Sequence, residues 1–381
     1  MECVLFVESS KALVELCGIS IIERALRTLQ ICEVTRAYII ADNAPALTEH
    51  LRNPSPQRAQ VACVFSEPPR DGQLRLVARG DSVFDPRLFG WLLARETSTV
   101  LTDAGKFCET ALARASSTDV LHDEKSTVLD VSEPSWYVAG MRRTLRPYWF
   151  PAPNESQKHS AEHAILDAAQ KGTLDIPALV HAPIETFIVS KLCRTSVTPN
   201  QLTVFSNIVA WGATILFASG HLGWGIAVAL IVGVLDGLDG KLARVKLETS
   251  KAGELEHFFD VLFENSWWIA IAYHLHVSGK LPNAFWFLAL LLIAEVFAGL
   301  ARGSIVRYFG KSISELGRFD RLVRLIGGRR NVYVWILALG IALGAPAFAF
   351  KLVAWWEVAT AAVHWPSAAW ALWMRARQSA R

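Results

Sequence analysis

Asp236-Gly-Leu-Asp239-Gly240-Lys-Leu-Ala243-Arg244 closes an otherwise apolar run that begins near Leu222. About 20 apolar residues are enough to cross a bilayer as a helix. Each charge in hydrocarbon costs about 2.5–3.5 kcal/mol on insertion scales. Two aspartates there therefore need compensation, although their place near one end of the run lowers the cost. Asp236, Asp239, Gly240 and Ala243 recur at spacings of three and four, so they share one helix face. The small residues beside the acids leave room for a ligand.

Working outward, the next apolar run carries Glu256, Asp260 and Glu264, one every fourth residue and hence on one stripe. The link between the two runs is short, which predicts antiparallel neighbours with facing acids. A bound divalent cation is the expected compensation, and hard carboxylate oxygens favour Mg²⁺ or Mn²⁺. The alternative is that these acids pair with arginines such as Arg302.

Six apolar runs are candidate spans: 201–219, 222–243, 256–276, 282–301, 331–350 and 352–374. Links near 220, 280 and 351 are poor in basic residues, with only Lys280 and Lys351. The opposite links hold Arg244, Lys246, Lys251, Arg302, Arg307, Lys311, Arg318, Arg321, Arg324, Arg329 and Arg330, and the chain ends in Arg375, Arg377 and Arg381. The positive-inside rule then puts both termini and the acids on the cytoplasmic side. Trp211, Trp224, Trp267, Trp268, Trp286 and Trp355 read as interfacial or packing residues. Ahead of the first span, Ile184, Phe187, Ile188 and Leu192 form one apolar stripe, with Lys191 and Arg194 off it. This pattern predicts a helix at the membrane surface or, alternatively, a helix packed on a soluble core.

The first half has charges throughout, so the 52% hydrophobic content averages two regimes. The net charge of +3 comes with no strongly basic face there, which argues against nucleic acid. Strands are expected at 1–9, 37–41, 60–65, 74–78 and 98–102, and helices near 20–30 and 86–95. Such alternation predicts an α/β domain with a largely parallel sheet. Residues 105–160 are polar, and Pro147, Pro151 and Pro153 suggest a loop or domain edge. The six cysteines, Cys3, Cys17, Cys32, Cys63, Cys108 and Cys193, show no CxxC spacing and read as reduced thiols. The expected fold is an α/β domain over 1–178, an interfacial helix and entry segment over 179–200, and an all-α six-helix transmembrane domain over 201–381.

The block Asp236-x2-Asp239-Gly240-x2-Ala243-Arg244, followed by eight residues and Gly253, resembles the CDP-alcohol phosphatidyltransferase motif. That family continues with x3-Asp-x3-Asp, where this chain has His257 and Val261. Glu256-x3-Asp260 has the same spacing one position earlier. Thr198-Pro-Asn200-x2-Thr203 resembles the family's entry motif. The resemblance implies that Asp236, Asp239 and Glu256 bind metal, with Asp260 as a further ligand and the base on the acceptor hydroxyl. Asp260 as ligand with Glu264 as base is an alternative, and His257 is another candidate base. Asn200, Gly240, Ala243 and Arg244 would hold the nucleotide and its phosphates. Arg302 and Arg307 are candidates for a phosphorylated acceptor, because arginine binds phosphate bidentately. Topology and anionic lipid account equally for those arginines.

Leu13–Gly18 with Ile21–Leu26, and Ala78-Arg-Gly-Asp81-Ser-Val-Phe-Asp85, resemble parts of sugar-type nucleotidyltransferases. Their glycine-rich phosphate loop is replaced by Glu8-Ser-Ser-Lys11. An inactive relative is expected, with Asp81 an ordinary strand-end aspartate or, alternatively, a metal ligand.

The resemblance implies transfer of a phosphoalcohol from a CDP-linked donor (CDP-diacylglycerol or CDP-alcohol) to an alcohol acceptor, with release of CMP. Partners would be that donor, an acceptor that can itself be phosphorylated, and membrane lipid. A homodimer is compatible with the reading. The rivals are a CDP-inositol-type donor with an inositol phosphate acceptor, and a catalytically inactive membrane scaffold.

Overall fold

The computed structural model describes residues 1–52, 59–103, 106–107, 112–116, 127–132, 134–173, 175–248, 253–310 and 312–379. Cys108, Lys251, Lys311 and Arg381 lie outside them. The chain divides into two compact units. Unit 1 is Met1–Gln170 with Val189–Val197 and Lys241–Thr249, and unit 2 is Lys171–Ile188, Thr198–Gly240 and Ser250–Arg381.

Unit 1 is built on an eight-stranded sheet. Its main path uses β1 (Glu2–Val7), β2 (Arg36–Ala41), β3 (Ala62–Val64), β4 (Arg75–Arg79), β5 (Thr99–Asp103), β6 (Ala113–Ala115) and β7 (Thr127–Asp130), in the order β7-β5-β6-β4-β1-β2-β3. β1 is central because it can be buried on both faces: Cys3, Val4 and Leu5 are at most 1% exposed. It pairs in parallel with β2 and β4, as expected of α/β alternation. β6 runs antiparallel to both β4 and β5.

The helices of this unit are α1 (Ser9–Ala12), α2 (Ile21–Ile31), α3 (Ala44–Arg52), α4 (Pro86–Leu93) and α5 (Glu155–Ala168). Their starts are chemically marked. The Ser20 side chain caps α2, Asp85 caps α4 ahead of Pro86, and Asn154 with Gln157 forms a capping box on α5. So the polar 105–160 stretch holds strands and a capped helix, beyond the loop expected there. The five described cysteines are free thiols.

Unit 2 is mostly helical. Its elements are α6 (Ile176–Leu192), α7 (Pro199–Ala218), α8 (Leu222–Lys246), α9 (Gly253–Val277), α10 (Ala284–Phe309), α11 (Arg318–Ile326), α12 (Arg330–Ala342) and α13 (Pro346–Ser379). The ends of α6 and α8 belong to unit 1. Among the described residues three helices, α7, α8 and α10, are long and apolar enough to cross a membrane. Of the other expected spans, α9 is interrupted by its acids and α12 has only 13 residues.

The turn between α12 and α13 falls at 343–345, where Gly344 takes the left-handed φ of +72°. It does not fall near Lys351, which lies inside α13. The unit 2 core gathers Ala210, Ala213, Phe217, Val232, Phe263 and Ile271 around Trp267 and Trp268. Both tryptophans are buried, whereas Trp211, Trp224, Trp286 and Trp355 are exposed. On α6, Ile184 and Phe187 of the apolar stripe are exposed too, whereas Ile188 and Leu192 are half-buried.

Candidate active site in unit 2

Thr198 opens α7 with a capping box to Gln201, and Pro199 occupies the first turn. One turn later Thr203 donates its hydroxyl to Asp239 Oδ2 at 2.6 Å. A buried carboxylate needs such partners, and Asp239 is 5% exposed. Its Oδ1 accepts from the Gly240 amide at 2.6 Å. Asp236 lies one turn earlier on α8 and is more open, with its side chain 32% exposed. Its Oδ2 takes an ion pair at 2.6 Å from Arg330, the first residue of α12.

The Arg330 guanidinium lies over the Phe263 ring, 5.0 Å from its centroid. It is within electrostatic reach of Asp236, Glu264 and Asp260. Asp260 in turn feels Asp236 and Asp239. α9 packs most closely on α7 and α10. The short α8–α9 link predicted neighbours with facing acids, and Asp260 of α9 is within electrostatic reach of Asp236 and Asp239 of α8. Arg330 therefore pairs with Asp236 and acts electrostatically on Asp260 and Glu264, while Arg329 also acts on Glu264 and Lys171 on Asp239.

The arginine paired with these acids among the described residues is Arg330, on Asp236. Arg302 acts electrostatically on Glu295, Glu357 and His364 instead. Arg307 is exposed. Among the described residues no contact joins either arginine to Asp236, Asp239 or Asp260. Gly240 and Ala243 sit on α8 as expected, and Asn200 is exposed near the start of α7. Arg244 Nε donates to the Ala169 carbonyl at 2.8 Å, so part of its guanidinium is committed to main chain. Glu256 and His257 lie in α9, but their side chains fall outside the described residues.

Two neighbours were not singled out from the sequence. The space that a Cβ on Gly237 would occupy is filled by the Glu185 carboxylate of α6. Any larger residue at 237 would displace it. One turn earlier, a Cβ on Gly233 would come within 2.9 Å of His181 Cε1. The helix glycines thus let α6 side chains approach α8, and only the spacing Gly233-x3-Gly237 hinted at it.

Among the described residues no three His, Cys, Asp or Glu side chains are gathered closely enough to hold a metal ion. The chemistry of the donors nonetheless fits a hard divalent cation: carboxylate oxygens on one helix face, a third carboxylate within electrostatic reach, and a cationic side chain where positive charge is needed.

The strand-end aspartate of unit 1 is arranged differently. Asp81 is 2% exposed, and Arg79 takes both its oxygens, Nε to Oδ1 at 2.9 Å and Nη2 to Oδ2 at 2.5 Å. The segment after β1 turns into α1, and the Ser9 amide is held by Asp42 at 2.8 Å.

Comparison with known proteins agrees with the motif. Residues 196–370 match the family model of the CDP-alcohol phosphatidyltransferases. A bifunctional IPC transferase and DIPP synthase of Rubrobacter xylanophilus is 32% identical over 159 residues, 42% of this chain and 34% of the relative. A phosphatidylinositol phosphate synthase of Corynebacterium glutamicum is 27% identical over 180 residues, 46% of this chain and 78% of that protein. A putative cardiolipin synthase of Mycobacterium tuberculosis is 27% identical over 124 residues, 32% of this chain and 56% of that protein. The match spans only 34% of the Rubrobacter protein's length, and 39% of its Archaeoglobus fulgidus counterpart.

Proposed function

Because residues 196–370 match the family model of the CDP-alcohol phosphatidyltransferases, we propose that this chain transfers a phosphatidyl-type phosphoalcohol from a CDP-linked donor to an alcohol acceptor in phospholipid synthesis. The observation that carries the reading is the Arg330–Asp236 ion pair, with Asp260 and Glu264 within electrostatic reach of the same guanidinium. Acids that outnumber the cations near them favour further positive charge.

In this reading Asp236, Asp239, Glu256 and Asp260 hold Mg²⁺ or Mn²⁺, which when bound neutralises the donor pyrophosphate and the charge growing on the leaving CMP. Thr203 fixes the Asp239 carboxylate. Asp260 takes the proton of the acceptor hydroxyl. The hydroxyl oxygen bonds to the phosphorus distal to cytidine, and the bond from that phosphorus to CMP breaks. Glu264 is the alternative base. Asn200, Gly240, Ala243 and Arg244 serve the nucleotide, and Arg302 and Arg307 serve an acceptor phosphate. The protein crosses the membrane six times, with both termini and the acids on the cytoplasmic side. Unit 1 is an inactive relative of nucleotidyltransferases, a reading supported by the closed Asp81–Arg79 pair.

A second reading keeps the site but uses a CDP-inositol-type donor and an inositol phosphate acceptor. Similarity to a phosphatidylinositol phosphate synthase favours a phosphorylated polyol on the acceptor side. The test is CMP release by the full chain in lipid, offered CDP-diacylglycerol or CDP-inositol with an acceptor panel. Metal-dependent release with one donor supports the proposal and selects the reading. Absence of release with every donor would leave the inactive scaffold.

A further inference from the structure

The last four carbonyls of a helix have no partner within it. At the end of α8 all four are accounted for, inside unit 1. The Glu248 amide bonds the Ala243 carbonyl at 2.9 Å, and the Leu247 amide bonds that of Arg244 at 3.4 Å. These two bonds make a Schellman turn, whose left-handed position usually holds glycine. Here Leu247 occupies it at φ +53°, a conformation disfavoured for a branched side chain.

The remaining two carbonyls are held by arginines of α2. Arg24 Nη1 donates to Val245 O at 2.9 Å, and Arg27 Nη1 donates to Lys246 O at 2.8 Å. Both arginines are buried, 1% and 7% exposed. Arg27 is oriented by Glu23 at 3.1 Å, and Arg24 also donates to Leu16 O at 3.2 Å. Lys246, itself 2% exposed, donates to the carbonyls of Thr195 and Val197 at 2.8 and 2.7 Å. That fixes the segment leading into Thr198, the cap of α7. Two cations at a helix C-terminus also oppose its dipole favourably.

α8 is one continuous helix, and Asp239 lies six residues, about 9 Å, before Val245. We propose that Arg24 and Arg27 are positioning residues for the carboxylates of α8. They hold a strained helix end in place and thereby fix the register at which Asp236 and Asp239 are presented. The inference rests on the proposed transferase reading, because it concerns the geometry of that site.

The experiment compares the full chain with Arg24→Gln/Arg27→Gln and, as control, with Arg75→Gln. Arg75 is equally buried in unit 1 but pairs with Glu2 and Asp71. Amide exchange across 243–248, Mn²⁺ affinity by electron paramagnetic resonance, and kcat against donor KM are measured on each. The double variant is expected to exchange faster at 247 and 248, bind Mn²⁺ about fivefold or more weakly, and lose about tenfold in kcat with little change in KM. Arg75→Gln is expected to lower the unfolding temperature and leave all three readouts unchanged. Should the double variant not fold, Arg27→Gln alone and Arg27→Gln/Leu247→Gly replace it. Glycine relieves the left-handed residue and is expected to restore part of the lost Mn²⁺ affinity.

Faster exchange with wild-type kcat and Mn²⁺ affinity would overturn the proposal, as would unchanged exchange. If the unaltered chain neither releases CMP nor binds Mn²⁺, the transferase reading fails instead, and the exchange data still decide whether the arginines hold the helix end.

Discussion

Each unit contains an aspartate paired with an arginine, and the two pairs differ in a way that separates structure from chemistry. Asp81 in unit 1 is sealed: Arg79, two residues away, takes both its oxygens, and the charges cancel locally. Asp236 in unit 2 is part exposed, and its arginine comes from the far side of the sequence. That arginine, Arg330, also acts electrostatically on Asp260 and Glu264. A balanced pair has little left to offer a ligand. A cation outnumbered by carboxylates keeps the site poised for more positive charge. The comparison teaches that the local sum of charge, more than burial, marks where chemistry is to be sought.

The largest effect that would break this contrast is at Asp236. Asp236→Asn is expected to lower CMP release by about 100-fold or more, read on the purified full chain with the donor it prefers. Asp81→Asn, its counterpart, is expected to leave release per folded molecule within about twofold. It should cost about 1–3 kcal/mol of stability through the buried group left unpaired, measured by denaturant unfolding. If both variants lost activity equally, the two pairs would not differ in kind.

Arg330→Gln comes next. Removing the guanidinium leaves Asp236 without its ion-pair partner and takes positive charge away from Asp260 and Glu264, so stability is expected to fall. Added Mn²⁺ should then raise the unfolding temperature of Arg330→Gln more than that of the unaltered chain. An equal rise in both would show that Arg330 does not stand in for positive charge at this site.

A smaller effect sharpens the contrast from the unit 1 side. The Arg75 guanidinium holds the Asp71 carboxyl down at about 2, mainly by hydrogen bonding, against the usual 3.8. A carboxyl depressed on folding contributes stability above its ordinary value and loses it as pH falls through the folded one. Unfolding temperature should therefore fall between about pH 4 and pH 2 more steeply in the unaltered chain than in Asp71→Asn. Because Asp71 is exposed, the difference is expected to be small.

Much of this was legible because charge inside an apolar run is costly and therefore conspicuous. Asp236, Asp239, Asp260 and Glu264 announce themselves that way, and the parallel strands of unit 1 follow from buried runs such as Cys3–Leu5. What was not legible depended on long-range closure. Nothing local to Arg330 distinguishes it from Arg302 or Arg329, since its role comes from where α12 begins relative to α8 and α9. Glu185 carries no signal of its own in the sequence, and only the absent side chain at Gly237 shows where its carboxylate goes. Lys351 was mistaken for a link because it is charged, whereas Gly344 makes the turn. β6 is three residues with a central arginine, too short to carry an alternation. The end of α8 lacks the glycine that usually signals it, because two distant arginines complete it instead.

The most direct test of the central claim is a Mn²⁺ titration of the full chain in lipid, followed by electron paramagnetic resonance, against Asp236→Asn/Asp239→Asn. The account predicts saturable binding to the unaltered chain and its loss in the double variant, with folding intact by tryptophan fluorescence. Equal, saturable binding to both would place the metal elsewhere and contradict the assignment of α8 as its seat.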